Sequence, residues 1–152
     1  MPLSEKEKKF HLRVRAIIHD GEHILAVKAK GSEYCFLPGG HHEIGESLPS
    51  ALLREIKEEM GREGEIRQYL GVVENGWQEN DAYHQEINHI FEVAVPGVHA
   101  EVAPSSAEEK LEFLWVKPED FEPKDFRPTI MRSLIIKWLK GDKTIWYESH
   151  FE

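Results

Sequence analysis

The chain has 152 residues, 28 acidic and 19 basic, and its net charge of -9 argues against non-specific nucleic-acid binding, which needs a basic face. No apolar run approaches the roughly 20 residues that span a bilayer, the polar N-terminus predicts no signal peptide, and the lone Cys35 forms no internal disulfide. We therefore expect one soluble, cytoplasmic domain over residues 1–152 that binds neither nucleic acid nor membrane.

Hydrophobic periodicity and turn residues divide the chain into short elements, most of them strands. In chain order the patterns predict strands at 11–18 and 23–28 joined by a turn at Asp20-Gly21, a short segment at 33–37, a break in regular structure at Pro38-Gly39-Gly40, a helix from Ser47 to Gly61, strands at 65–73, 83–95 and 111–117, a helix at 128–140 and a short edge strand at 144–147. Strands outnumber helices and short turns join most of them. This order predicts an α/β fold with a mixed sheet and a helix on each face.

The first helix has readable ends and one apolar stripe. Ser47 can cap its N-terminus, and Gly61 stands where a left-handed residue ends a helix. Leu53, Ile56 and Met60 recur at spacings of three and four, which predicts a buried face.

Three glutamates share another face of this helix, which we expect to lie opposite the apolar stripe. Glu55, Glu58 and Glu59 stand at positions i, i+3 and i+4, where like charges destabilise a helix by a few tenths of a kcal/mol per pair. Carboxylate oxygens suit Mg²⁺, which fills its other positions with water and substrate phosphate. The preceding Gly39-Gly40 lets the backbone approach phosphate closely. A carboxylate cluster beside a Gly-Gly turn is typical of a metal–phosphate site, although such a cluster alone is more often a solvated face.

The longer pattern from Gly40 to Arg62 resembles the Nudix box of the MutT-like Nudix hydrolases. An aliphatic residue follows the final glycine in that family, whereas this chain has Arg62. The matching positions are Gly40, Glu46, Arg54, Glu55, Glu58, Glu59 and Gly61, with Ile56 in the aliphatic slot.

The resemblance implies a Nudix-type α/β/α sandwich and a hydrolase that uses Mg²⁺, or Mn²⁺ in its place, to cleave a phosphoanhydride of a nucleoside diphosphate linked to another group, X. Glu58 and Glu59 would be metal ligands. Glu55 would be a further ligand or the general base. Arg54 would hold a glutamate in place, and Gly40 would offer its carbonyl to the metal.

Some family members take a further acidic group from a later loop, and here Glu109 is the candidate, with Glu108 and Glu112 nearby. Substrate contacts are expected from the backbone of Gly39 and Gly40 and from three side chains, those of His41, Trp77 and Phe91. His84 and His89 are too widely spaced for a zinc-protease helix and lie on a predicted strand, which excludes zinc there.

The leading substrate is a nucleoside triphosphate, oxidised or not, and the alternative is a nucleotide sugar or ADP-ribose. A catalytically silent nucleotide-binding domain of the same fold is a second hypothesis. A partner-binding protein that docks through helix 128–140 is a third. The number of metal ions, and whether the protein is a monomer or a homodimer, stay open.

Overall fold

Eight strands and two α-helices follow one another along residues 7–151, the part of the chain that the computed structural model describes. Residues 1–6 and 152 lie outside it. The prediction of no signal peptide therefore concerns residues that are mostly outside the described part of the chain. The elements are β1 (Lys8–Ile17), β2 (His19–Asp20), β3 (His23–Ala29), β4 (Gly39–His41), α1 (Leu48–Met60), β5 (Glu65–Glu79), β6 (Ala82–Ala94), β7 (Leu111–Val116), a short 3₁₀ helix (Pro118–Asp120), α2 (Ile130–Leu139) and β8 (Trp146–Phe151).

The predicted mixed sheet is confirmed, and a second sheet accompanies it. Five strands lie in the order β4-β1-β6-β5-β8, with β1 parallel to β6 and β5 parallel to β8. The other three strands form an antiparallel sheet in the order β2-β3-β7. The chain leaves the first sheet after Ile17 and enters the second at His19, so the predicted turn at Asp20-Gly21 joins β2 to β3 rather than β1 to β3.

A helix covers each face of the sheets, as predicted. Alternate residues of β1 point to opposite sides, and Val14 packs into the core beneath α1 while Ile17 packs into the core beneath α2. On the two helices, Ile56 and Ile135 are both fully buried in these separate cores. Both faces of the central strands are therefore covered.

Helix α1 has the ends that the sequence predicts, but its buried face is different. The Ser47 side chain accepts a hydrogen bond from the Ser50 backbone N–H, and Gly61 is left-handed with φ of 69°. Leu53 is only partly buried, whereas the buried set is Ala51, Leu52, Ile56, Glu59 and Met60. The prediction that all three glutamates lie opposite the apolar stripe is wrong for Glu59, which is buried within that stripe.

Two further predictions change in the structure. Gly39 and Gly40 do not break regular structure but lie in β4, which pairs antiparallel with β1 at the sheet edge. Strand β5 continues past residue 73 to Glu79, because its polar second half pairs with β6 as far as Ala82. The edge strand predicted at 144–147 is present as β8, shifted toward the C-terminus. Neither α1 nor α2, nor any other helical segment within residues 7–151, has the length and apolar character needed to cross a membrane.

Candidate active site

Arg54 is the centre of a network on α1. Its guanidinium donates two hydrogen bonds to Glu46, from Nη2 to Oε1 at 2.7 Å and from Nε to Oε2 at 3.1 Å. Its Nη1 lies 3.0 Å from Glu55 Oε1 and 3.3 Å from Glu58 Oε1, and Nη2 also donates to the carbonyl of His41. The bond from Arg54 lowers the pKa of Glu46, and that with Glu46 raises the pKa of Arg54. Arg54 therefore aligns the Glu46 loop with the glutamates of α1, which agrees with the positioning role that the family resemblance implies.

Glu59 is the buried member of the glutamate set. Its side chain is only 4% exposed, and its Oε1 accepts a hydrogen bond of 3.0 Å from the Gly39 backbone N–H. Burial raises the pKa of Glu59 to about 7, against the opposing effects of that hydrogen bond and of Arg15. Burial also raises the pKa of Glu55. A buried carboxylate with an elevated pKa is better stabilised by a bound cation than by solvent.

The two glycines before the helix lie in close packing. A Cβ on Gly40 would overlap the Glu55 carboxylate. A Cβ on Gly39, whose φ is 144°, would overlap the Val14 carbonyl. The predicted phosphate contact through the Gly39 N–H is not available in this arrangement, because Glu59 already accepts from that group.

The donors fit a hard divalent cation in their chemistry. Glu55, Glu58 and Glu59 carry carboxylates on one helix, and Gly40 lies against the Glu55 carboxylate. Within residues 7–151, however, no three histidine, cysteine or acidic side chains already surround one point. Arg54 holds Glu55 and Glu58, while Glu59 turns toward Gly39. Side-chain rearrangement would therefore accompany cation binding.

The loop before β7 reaches the end of α1. The Ala107 N–H donates to the Glu59 carbonyl at 2.7 Å. After burial and the Glu55 charge, the charge of Glu108 is a further contribution that raises the pKa of Glu59. Glu108 is thus the loop acid that acts on the cluster electrostatically. Glu109 is exposed, and its role as a ligand stays a prediction.

A cavity of about 560 Å³ lies on the α2 side of the five-stranded sheet. Its lining combines basic, acidic, amide and aromatic side chains, among them Arg13, Arg15, Phe36, Asn75, Trp77, Glu86, Asn88 and Arg127. Asn88 is 2% exposed and Glu86 is 6% exposed. A concave site with a few buried polar groups and aromatic walls suits an organic ligand of nucleotide size.

Arg15 connects this cavity to the carboxylates of α1. It lies on β1 opposite Gly39, and its Nη1 donates to the Leu37 carbonyl at 3.1 Å. Burial lowers the pKa of Arg15, whereas the charges of Glu59 and Glu55 act in the opposite direction. The guanidinium is thus a partly buried positive charge between the cavity and the acidic helix.

The structure separates the three predicted substrate side chains. Trp77 lines the cavity and stacks on His84, with ring centroids 5.2 Å apart and planes inclined by 8°. His41 is exposed and lies beside His11, with 3.4 Å between their nearest ring nitrogens. Phe91 is 5% exposed in the core beneath α1. Its ring therefore faces away from the cavity, and its contact with substrate stays a prediction.

The cavity residues on β1 and β6 were not predicted. Arg13 and Arg15 alternate with Val14 and Ala16 on β1, and the apolar residues of this strand predict only its buried face. The alternation itself could have indicated that Arg13 and Arg15 belong to a site. Charged residues on the second face of a central strand are costly unless they are paired or functional.

The site joins a carboxylate-bearing helix, a tightly packed glycine pair and a polar cavity on a fold of two sheets between two helices. The family model described as the NUDIX domain matches residues 9–138. The chain belongs to the NUDIX family.

Two curated relatives and one solved structure illustrate the similarity. The chain is 44% identical over 62 residues to a protein of Methanocaldococcus jannaschii named ADP-ribose pyrophosphatase, covering 39% of this chain and 37% of that protein. It is 29% identical over 102 residues to a Bacillus subtilis protein named putative 8-oxo-dGTP diphosphatase, covering 67% and 62% of the two chains. The chain therefore spans less than two thirds of either relative. The crystal structure of a MutT protein from Methanosarcina mazei shares the fold, with a TM-score of 0.66, 23% identity and coverage of 91% of this chain and 99% of that one.

Proposed function

We propose that this protein is a hydrolase that cleaves a phosphoanhydride bond in a nucleoside triphosphate, releasing two phosphate-containing products. The observation that carries the proposal is the helix α1, on which Glu55 lies against Gly40 and buried Glu59 accepts from the Gly39 N–H, with Arg15 between these carboxylates and a nucleotide-sized cavity. Family membership supports the reaction class.

Two carboxylates, those of Glu58 and Glu59, and the Gly40 carbonyl would hold Mg²⁺, with Mn²⁺ as a substitute. When bound, the cation supplies charge neutralisation at the phosphoryl oxygens and lowers the pKa of a coordinated water. It also offsets the repulsion between an anionic substrate and a chain with a net charge of -9.

The chain's own residues divide the remaining tasks. The cavity holds the nucleoside, and Trp77 offers a ring for stacking. Arg15 places a positive charge on the path from the cavity to α1. Glu55 accepts a proton from the attacking water, which adds to phosphorus as the bridging P–O bond breaks. Arg54 is a positioning residue, because its bonds keep Glu46, Glu55 and Glu58 in register.

The test is release of phosphate or pyrophosphate from a nucleotide panel with Mg²⁺, with Mn²⁺ and with EDTA. The panel holds common and oxidised nucleoside triphosphates, nucleotide sugars and ADP-ribose, the last because one relative is named for it. We expect metal-dependent turnover that falls at least about a hundredfold in Glu59→Gln. Glu63→Gln is the matched control, since Glu63 is exposed just beyond the same helix and pairs with Lys57.

The proposal is overturned if no compound is cleaved with either metal, or if Glu59→Gln retains full activity. Turnover of ADP-ribose or a nucleotide sugar in preference to triphosphates would keep the reaction class and replace the substrate. Nucleotide binding without turnover would favour a silent binding domain.

A further inference from the structure

Three buried polar atoms in the cavity lining have no hydrogen-bond partner, the only such side-chain atoms found in residues 7–151. They are Asn75 Oδ1, Glu86 Oε2 and Arg13 Nε. Glu86 Oε2 lies 2.9 Å from Arg13 Nη1, so the two charges compensate each other, but the contact is not aligned as a hydrogen bond. Leaving a buried polar atom without a partner is costly, and the cost is removed when a ligand supplies one.

These atoms belong to neighbouring positions on one sheet face. Asn75 on β5 is directly opposite Glu86 on β6, and Arg13 on β1 pairs with Asn88, two residues further along the same face of β6. Directly opposed side chains are about 5 Å apart, and diagonal ones remain within reach of long side chains. Across the sheet the order is therefore Asn75, Glu86, Arg13.

The chemical order of the row is acceptor, acceptor, donor. An amide oxygen and a carboxylate oxygen accept, and a guanidinium N–H donates. Guanine presents the complementary order on its Watson–Crick edge, with the 2-amino group and N1–H as donors and O6 as acceptor. Adenine and hypoxanthine have two groups on this edge, cytosine has one donor followed by two acceptors, and uracil has a donor between two acceptors. Guanine is the common base that satisfies all three positions.

We propose that the row Asn75–Glu86–Arg13 reads the Watson–Crick edge of a guanine base, so that the substrate is a guanine nucleotide. This inference rests on the proposed function for the phosphate chemistry, although base selection is measurable without it. The same edge is present in 8-oxoguanine, so the row accepts the oxidised base as well. Trp77, two residues from Asn75 on β5, lines the same cavity and can stack on the purine.

The test compares binding of GMP, IMP and AMP in EDTA by calorimetry, and kcat/KM for GTP, ITP and ATP with Mg²⁺. IMP lacks only the 2-amino group, so wild-type protein should bind GMP about tenfold more tightly than IMP, and AMP more weakly still. Asn75→Ala should reduce the GMP-to-IMP ratio to about one without weakening IMP, because it removes the acceptor for the missing group.

Glu86→Gln should weaken GMP and IMP by about tenfold or more without weakening AMP, because a neutral amide oxygen is a poorer acceptor for N1–H than a carboxylate oxygen. Glu92→Gln is its matched control, a partly buried glutamate further along β6 that pairs with His19 outside the cavity. Gln78→Ala, an exposed neighbour on β5, is the control for Asn75→Ala. If Glu86→Gln fails to fold, the guanine assignment is still tested by the comparison of GMP with IMP in the wild-type protein and in Asn75→Ala.

Binding of GMP no tighter than that of IMP or AMP, including no measurable binding, would overturn the inference, as would equal effects of the variants and their controls. Turnover without base preference would reject the guanine assignment and leave the hydrolase proposal standing. Guanine-selective binding without turnover would support the guanine assignment and reject the hydrolase proposal.

Discussion

Glycine at position 40 leaves the space that the Glu55 carboxylate occupies, and glycine at position 39 allows the backbone to pass the Val14 carbonyl. The two residues have different neighbours, however. Next to Gly40 lies the end of a side chain that can turn aside, whereas next to Gly39 lies main chain that cannot. At the scale of single residues, the first glycine therefore serves the site and the second serves the fold.

We expect Gly40→Ala to retain a free energy of unfolding within about 1 kcal/mol of wild type while losing most metal-dependent hydrolysis, because Glu55 must move away. Gly39→Ala should cost about 1–3 kcal/mol from its positive φ alone, and more from the overlap with Val14. Urea denaturation and turnover assays measure the two effects. Gly45→Ala is the control, since Gly45 also has positive φ but open space around it. Equal destabilisation by all three variants would contradict this distinction.

At the scale of elements, the position of β8 at the edge of the sheet depends on its parallel pairing with β5. Gly71 on β5 pairs with Trp146 on β8, and a Cβ on Gly71 would overlap the Trp146 backbone. Trp146 is 5% exposed in the core beneath α2. The close approach of the two strands therefore needs glycine, and the pairing places an indole in the core.

Gly71→Ala should release β8, reduce the free energy of unfolding by at least about 2 kcal/mol and expose Trp146. Amide hydrogen exchange of Trp146–Phe151 and a red shift of tryptophan fluorescence measure the release. Gly141→Ala tests strain without contact, because Gly141 has φ of 97° and no neighbour within 4 Å. Protected amides in β8 of the Gly71 variant would refute the expectation.

At the scale of the whole molecule, the two sheets separate two hydrophobic cores. Ile56 of α1 and Ile135 of α2 are fully buried in different cores. The central strands contribute residues to both cores, as Val14 and Ile17 show for β1 and Ile90 and Phe91 show for β6. This sharing predicts cooperative unfolding of the two halves, although the side chains of the two cores do not pack together.

Ile56→Val and Ile135→Val should each reduce the free energy of unfolding by about 0.5–1.5 kcal/mol. The double variant should show their sum within about 0.5 kcal/mol, because distant sites without shared partners are additive. Coincident urea transitions by far-ultraviolet circular dichroism and by fluorescence check cooperativity. Two separate transitions would contradict cooperative unfolding. A coupling energy above about 1 kcal/mol would contradict the independence of the two cores.

Much of the glutamate helix was predictable because its signals are local. Ser47, Gly61 and the spacing of Glu55, Glu58 and Glu59 act within one or two helical turns, so the sequence determined where α1 begins and ends and that its glutamates lie close together. The NUDIX pattern is read from the same stretch. Six of the eight strands were predictable in approximate position for the same reason, since alternation is a property of neighbouring residues, whereas the short strands β2 and β4 were not predicted.

The tertiary structure alone decided which groups meet. Glu59 is buried because α1 packs against β1 and β4, a fact that helical spacing does not contain. Phe91 and Asn88 lie on the same strand but on opposite faces, and only the second reaches the cavity. The row of Asn75, Glu86 and Arg13 joins residues up to 73 positions apart through strand pairing. Sequence periodicity predicts faces, whereas pairing order and register determine what each face contacts, because these depend on the burial of the whole chain.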